Sequence, residues 1–365
     1  MLKRSLANAV TEQQPHFDLI KPIFHRDNVS TNPPKAALRL SSDEKAKRLT
    51  DPLPANVTEL EVLLSDIPTE ALRRALTDLA IAGISALKAS EMARIGASLV
   101  ATKDRDADDM YGIVREHREH GAKRVRLFQF STAHFKKWKA PDAVTDTPSN
   151  RSATVLLNTS GPELKYFEET DVAIRVVAAE EHQRLAGSGT PAAHLEPIMR
   201  RVVFDVDRRT GLLALAFDQH GFSNPHESTD KYYSHYESMV LRIFGAVPSP
   251  VNIMKAVSGI RADASLANLT LFKGSDDEGP FTFARGRDSD VRSRKLYSVA
   301  TKSLAMVDVC GFEWQPIGGT QNDSSLTLQR KVETRIYLTS REIVFDSASL
   351  SHEYRYVTEQ LRRHA

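Results

Sequence analysis

The segment RVVFDVDRRTGLLALAFD, residues 201–218, carries the clearest secondary-structure pattern in the chain. Each of its two apolar halves places alternate residues on one face of a strand: Val202, Phe204 and Val206 in the first half, and Leu213, Leu215 and Phe217 in the second. Asp207–Gly211, between the two halves, contains the residue types of a turn. The segment therefore predicts an antiparallel β-hairpin.

A helix is predicted after this hairpin, and the same order of elements recurs near the C-terminus. The first helix has one apolar side: Tyr232, Tyr236, Met239 and Ile243. Strands over 332–338 and 343–346 precede a second helix with its own apolar side: Leu350, Tyr354, Val357 and Leu361. Both hairpins end in Phe-Asp, at Phe217-Asp218 and Phe345-Asp346. The pattern predicts two ββα units and raises the hypothesis of an internal duplication, although the shared dipeptide is short.

The sequence before this body has helical spacing. Within residues 68–83, leucines recur at i, i+4 and i+7: Leu72, Leu76 and Leu79. Gly83 is a suitable C-terminal residue for that helix, and two more helices are predicted before Gly121. A helix-turn-helix is an alternative here, but the second helix has few cations for phosphate contacts, so plain helical packing is favoured.

Three parts are predicted along the chain. Residues 1–55 are polar and lack periodicity, and their charge is 9 Lys and Arg minus 6 Asp and Glu, or +3. This segment is predicted to be a flexible basic arm. Residues 56–140 form a helical unit, and 152–365 form a body with two ββα-containing halves, 152–247 and 252–365. The fold class is therefore α+β, with a small N-terminal helical unit followed by a mainly antiparallel sheet body.

Composition places the chain among ordinary globular proteins. Hydrophobic residues make up 41% and charged residues 26%, and the mean hydropathy is −0.36. No apolar run approaches the roughly 20 residues that span a bilayer, so no membrane partner is expected. Cys310 is the only cysteine, which excludes an intramolecular disulfide and fits a reducing compartment. A cytoplasmic location is therefore expected.

The strongest functional signal is a basic and aromatic stretch. Between Tyr111 and Ala140 there are 8 Lys and Arg against 2 Glu, a local charge of +6 in a chain whose net charge is +2. Cations alternate there with aromatic residues, a mixture suited to phosphate neutralisation and base stacking. The candidate nucleic-acid contacts are Lys123, Arg124, Arg126, Lys136, Lys137, Trp138 and Lys139. The alternative is a half-buried strand whose cations face water, because Val125 and Leu127 alternate with Arg124 and Arg126.

Metal chemistry has two weaker candidates. Five potential ligands lie close together in sequence: Asp218, His220, His226, Asp230 and His235. Their spacing matches no known ligand motif, so no metal site is predicted. Asp142, Glu163 and Lys165 are residue types that a metal-dependent nuclease uses, but a turn is predicted just before Glu163 and Asp142 lies in a predicted linker.

No catalytic residue is predicted. The chain contains no Gly-rich phosphate loop, no dinucleotide-binding glycine motif and no nucleophile elbow, and no cofactor is expected. The leading functional prediction is a non-catalytic protein that associates with DNA or RNA or acts as a regulator. One alternative is an oligomeric scaffold that associates with itself or with a protein partner, and the other is a metal-dependent nuclease or hydrolase.

Overall fold

The computed structural model describes residues 56–141, 162–186, 194–218, 230–276, 279–285, 290–303, 306–316, 328, 330–345 and 349–365. These residues belong to one unit, Lys45–Ala365. The predicted arm, residues 1–55, lies outside them. The described helices are α1 (Val57–Ser65), α2 (Thr69–Asp78), α3 (Ala89–Ala101), α4 (Ala107–His120), α5 (Thr132–Lys137), α6 (Asp230–Phe244), α7 (Ile253–Ala262), α8 (Lys295–Ser303) and α9 (Ser351–His364).

Helices α1–α4 form the N-terminal helical unit, which has one helix more than the three predicted. The additional helix, α1, buries Leu60 and Leu64, and the Asn56 side chain caps it by accepting a hydrogen bond from a first-turn backbone N–H. Helix α2 ends at Asp78 rather than near Gly83, because Ala80 adopts a left-handed backbone conformation with φ of 57°.

Eleven strands form one sheet within the described part of the chain, and every pairing is antiparallel. The strands are β1 (Lys123–Gln129), β2 (Glu163–Glu169), β3 (Ala173–Ala186), β4 (His194–Asp207), β5 (Leu212–Asp218), β6 (Ser249–Pro250), β7 (Ala267–Asp276), β8 (Gly279–Ala284), β9 (Met306–Trp314), β10 (Val332–Tyr337) and β11 (Glu342–Phe345). Their order is β2-β3-β4-β5-β1-β11-β10-β9-β7-β8, and β6 pairs with β1. The α+β class and the antiparallel sheet are confirmed.

The predicted hairpin of residues 201–218 is confirmed as β4 and β5, although β4 begins earlier, at His194. The C-terminal hairpin and helix are confirmed as β10, β11 and α9. Strand β1 lies between the two hairpins, because β5 pairs with one of its edges and β11 with the other. The basic strand is therefore in the middle of the sheet.

The helices of the two ββα units cover opposite faces of the sheet. Helix α6 packs its Tyr236 and Met239 on the face that contains Leu215 of β5, whereas α9 packs Val357 on the face that contains Ile343 of β11. Strands β5 and β11 run in the same direction, since both are antiparallel to β1. The two strands run in the same direction and their helices lie on opposite faces. A twofold rotation about the axis of β1 therefore relates one ββα unit to the other.

The two hairpin turns support this relationship. Each turn has four residues between its strands, and the fourth residue has a positive φ: 74° at Gly211 and 54° at Arg341. When the two turns are aligned, Leu215 is equivalent to Phe345. The shared Phe-Asp dipeptide would instead align Phe217 with Phe345, a difference of two residues. That dipeptide is therefore not structurally equivalent, and the similarity of the two units lies in turn length and strand pairing.

A buried ion cluster joins the helical unit to the sheet. The Arg175 guanidinium of β3 pairs with Glu119 of α4 at 3.1 Å and with Asp205 of β4 at 3.2 Å. From α9, Arg355 lies 3.7 Å from the same Asp205 carboxylate. Because buried carboxylates require partners, this cluster fixes α4 and α9 against the strands.

Within the described helices, none is long and apolar enough to span a membrane. The longest of them, α6, has 15 residues.

Candidate nucleic-acid interface

The basic stretch divides into two structural parts. Lys123, Arg124 and Arg126 lie on β1, inside the sheet, whereas Lys136 and Lys137 lie on α5, just after β1. Trp138 and Lys139 follow α5 directly. The seven predicted contact residues therefore do not form one continuous surface.

The cations of β1 are paired with carboxylates of the same chain. Lys123 is 1% exposed, forms an ion pair with Asp218 and donates to the backbone carbonyl of Arg118. Arg124 pairs with Glu342 of β11 at 3.0 Å. Both carboxylates are distant in sequence, so the charges of Lys123 and Arg124 are neutralised by residues that the sequence pattern did not identify.

Arg126 differs from Lys123 and Arg124 in that its contacts are with helix α6. Its guanidinium carbon lies 3.8 Å from the centroid of the Tyr233 ring of α6, a cation–π contact. Its Nη1 lies 3.4 Å from a carboxylate oxygen of Glu237, also on α6. Arg126 also lines a groove on the sheet face, which it shares with the turn of the second hairpin.

The cations around α5 have a different environment. Lys136, Lys137 and Lys139 are exposed, and none of them forms an ion pair with any residue that the structure describes. Phe135 in the same helix is buried, 2% exposed, and fixes the helix to the sheet core. We refer to Lys136, Lys137 and Lys139 as the α5 lysines.

Trp138 is half-buried and packs against the core. Its ring centroid lies 6.3 Å from that of Phe135 and 5.8 Å from that of Phe244 at the end of α6. His134 completes this attachment, because its Nε2 lies 2.8 Å from the Phe244 carbonyl oxygen. The main role of Trp138 in the fold is therefore to hold α5 in place.

The acidic and histidine candidates do not converge on a metal site within the described residues. Glu163 and Lys165 lie on the edge strand β2 and pair with each other at 2.5 Å, and the turn predicted just before Glu163 lies mostly outside the described residues. Asp218 is bound to Lys123, and its other oxygen accepts from the Arg201 N–H at 2.8 Å. His235 is exposed on α6, and the other candidates fall outside the part of the chain or the side chains that the structure describes: Asp142, His220, His226 and Asp230.

The surroundings of the single thiol make it unreactive. Cys310 is buried in β9, and burial raises the pKa of its thiol to about 12. Such a thiol is almost entirely protonated at neutral pH and is a poor nucleophile.

The sequence gives no indication of the groove beside Arg126, which has a volume of about 420 Å³. It depends on the pairing of β1 with β11 and of β10 with β9. Such long-range pairings leave no local pattern in the sequence. Comparison with known proteins adds no functional information: no family model matches the chain, and no curated protein is significantly similar to it.

Proposed function

We propose that the protein binds nucleic acid through the α5 lysines, without base-specific contacts and without catalysing a reaction on it. The observation that supports this proposal is the contrast between the two parts of the basic stretch. The α5 lysines have no carboxylate partner among the described residues, whereas Lys123 and Arg124 are neutralised within the sheet. Exposed, unneutralised cations are the groups that release counterions when they contact phosphate.

The expected interaction is weak and electrostatic. Three lysines provide at most three phosphate contacts, so the log-log salt slope is at most about 2.7 in magnitude for duplex DNA. Lysine acts as a point charge and does not read base edges, so binding to different sequences should be similar. Base stacking contributes little, because Trp138 is packed against Phe135 and Phe244.

The experiment compares two variants with the same net charge. In the first, Lys136, Lys137 and Lys139 are replaced together by Gln, and in the control, Lys103, Lys255 and Lys295 are replaced by Gln. All six lysines are exposed, and each triple change lowers the formal net charge from +2 to −1 (2 − 3). Fluorescence anisotropy with labelled single-stranded and duplex oligonucleotides measures binding from low to moderate salt.

The proposal predicts that the α5 variant loses most of the binding and most of the salt dependence, while the control retains both. Equal loss in the two variants would show that only the overall charge matters. Undetectable binding by the wild-type protein at low ionic strength would rule out the proposal, and self-association measured by light scattering would then favour the scaffold alternative.

A further inference from the structure

We propose that the groove between β1 and the turn of the second hairpin binds a phosphate monoester of a nucleoside, such as a free mononucleotide or the phosphorylated end of an oligonucleotide. This site is separate from the α5 lysines, none of which lines the groove. The proposal therefore does not depend on the proposed function.

Strand pairing brings the walls of the groove together. Tyr337 of β10 is paired in register with Val309 of β9, and both line the groove. Arg126 lies on the same face, because Arg124 pairs with Val344 and alternate residues of a strand share a face. The turn after Tyr337 contributes Ser340 and Arg341. The volume of about 420 Å³ lies in the range of small-ligand sites.

The charges in the groove favour an anion. Arg126 and Arg341 are the two cations of the lining, and Asp308 is its one carboxylate, so these residues carry a charge of +1 (2 − 1). Lys273 of β7 is exposed and pairs in register with Val309, so its positive charge on the same face offsets the charge of Glu237, which pairs with Arg126. Arg126 is held by Tyr233 and Glu237 of α6, which orients its guanidinium before a ligand arrives.

The backbone at Arg341 supports a functional role for its side chain. Arg341 has φ of 54°, a left-handed conformation that costs free energy for any residue with a Cβ atom. The equivalent position of the first hairpin is Gly211, which adopts φ of 74° without that cost. The second hairpin therefore has arginine where glycine would fit the turn better, and strained residues of this kind cluster at binding sites.

The chemical groups of the lining match the parts of a mononucleotide. Two guanidinium groups and the Ser340 hydroxyl suit the oxygens of a phosphate. The aromatic ring of Tyr337 suits a base, which stacks on aromatic side chains. The carboxylate of Asp308 would repel the phosphate, but it can accept hydrogen bonds from the sugar hydroxyls.

The test is isothermal titration calorimetry on the full chain with AMP, adenosine, inorganic phosphate and a short oligonucleotide with or without a 5′-phosphate. The key variant is Arg341→Gly, which removes the cation and relieves the left-handed strain. The matched control is Arg209→Gln, which removes an exposed arginine from the turn of the first hairpin. A melting curve of each variant shows whether it is folded.

We expect AMP to bind at least tenfold more tightly than adenosine. Arg341→Gly should melt no lower than the wild type and yet bind AMP at least tenfold more weakly, whereas Arg209→Gln should bind AMP like the wild type. A structural role for Arg341 alone would not produce lost binding with retained stability. If the 5′-phosphorylated oligonucleotide binds and AMP does not, the phosphate source is a nucleic-acid end.

Three results would overturn the proposal: AMP and adenosine binding with the same measurable affinity, Arg341→Gly binding the phosphorylated ligand like the wild type, or neither AMP nor the 5′-phosphorylated oligonucleotide binding at concentrations up to about 1 mM. The variant that lacks the α5 lysines separates the two proposals, because it should bind AMP normally. If that variant loses oligonucleotide binding but still binds AMP, the two sites are independent.

Discussion

Replacement of Arg175 by Met tests whether the buried ion cluster fixes the helical unit to the sheet. Arg175 contacts Glu119 at 3.1 Å and Asp205 at 3.2 Å, and the two carboxylate side chains are 2% and 9% exposed. Met fills a similar volume but leaves both carboxylates without this partner. Removal of one member of a buried ion pair typically costs about 3–5 kcal/mol, mainly because a charge remains buried.

The loss of stability that comes from the unpaired Glu119 should be in the upper part of that range, and the loss that comes from Asp205 should be smaller. Glu119 has no other ion pair within the described part of the chain, whereas Asp205 retains Arg355 at 3.7 Å. We therefore expect the free energy of unfolding, measured with urea at pH 7, to fall by about 4 kcal/mol. Arg209→Met is the control, since its pair with Asp207 is 3.6 Å long and its side chain is 61% exposed. An exposed pair of this kind contributes about 0.2–1 kcal/mol.

The pH dependence provides a second measurement. Burial raises the pKa of Asp205, but the charges of Arg175, Arg355 and His120 together with the hydrogen bond from Arg175 outweigh burial, so the pKa of Asp205 in the folded protein is below its usual value of 3.8. A lowered pKa gives stability that is present above the unfolded-state pKa and is lost as the pH falls through the folded-state pKa. In the variant this contribution is lost and burial favours the protonated acid. The difference in stability between wild type and variant should therefore shrink between pH 7 and about 4, as the unpaired carboxylates of the variant take up protons. It should shrink further below about pH 4, where the wild type loses the contribution of Asp205.

Two results would refute this reasoning. A loss below about 1 kcal/mol at pH 7 would show that the cluster does not hold α4 on the sheet. A loss that is the same at pH 7 and pH 4 would show that unpaired carboxylates are not its cause. The variant Arg175→Met with Glu119→Gln and Asp205→Asn should recover part of the stability, because it leaves no buried charge unpaired.

Three further predictions concern single side chains. Gly211→Ala should lower the free energy of unfolding by about 2 kcal/mol or more, because φ is 74° there and a Cβ atom would lie 2.4 Å from the Phe130 carbonyl oxygen. A change within about 0.5 kcal/mol in urea unfolding would contradict this. Cys310 should resist iodoacetamide at pH 8 until the protein unfolds, because burial raises its pKa to about 12; rapid labelling of the native protein, seen by mass spectrometry, would refute it. Trp314→Phe should cost about 1–3 kcal/mol, because the indole N–H donates to the buried Thr334 hydroxyl at 2.9 Å; a neutral effect in the same urea assay would contradict it.

Local sequence patterns predicted the elements whose periodicity is regular. The hairpin of 201–218 and the helix that begins at Asp230 are confirmed because alternation and helical spacing depend only on neighbouring residues. The hairpin of β7 and β8 was not predicted, because the acidic turn between Gly274 and Gly279 resembles an exposed loop. The pairing of β7 also shifts register at Thr270, which interrupts the alternation on which such a prediction relies.

The candidate interface was predicted only in part for a related reason. The residues that neutralise β1 are far away along the chain: Glu342 lies 218 residues after Arg124, and Asp218 lies 95 residues after Lys123. No local pattern identifies such partners. The exposure of the α5 lysines was equally beyond sequence reasoning, since Phe135 and Trp138 set the orientation of α5 through contacts with Phe244.

The position of β1 determines which of its cations can take part in binding. A strand with a neighbour on each edge has no free backbone groups, and its side chains project only onto the two faces of the sheet. Lys123 is buried, and both Lys123 and Arg124 pair with carboxylates of the same chain. Of the predicted contact residues, Arg126 lines the groove, and the α5 lysines lie beyond the end of the strand, where they are exposed. A variant that adds a carboxylate near the α5 lysines, such as Ala133→Glu at an exposed position of α5, should therefore weaken oligonucleotide binding and leave AMP binding in the groove unchanged.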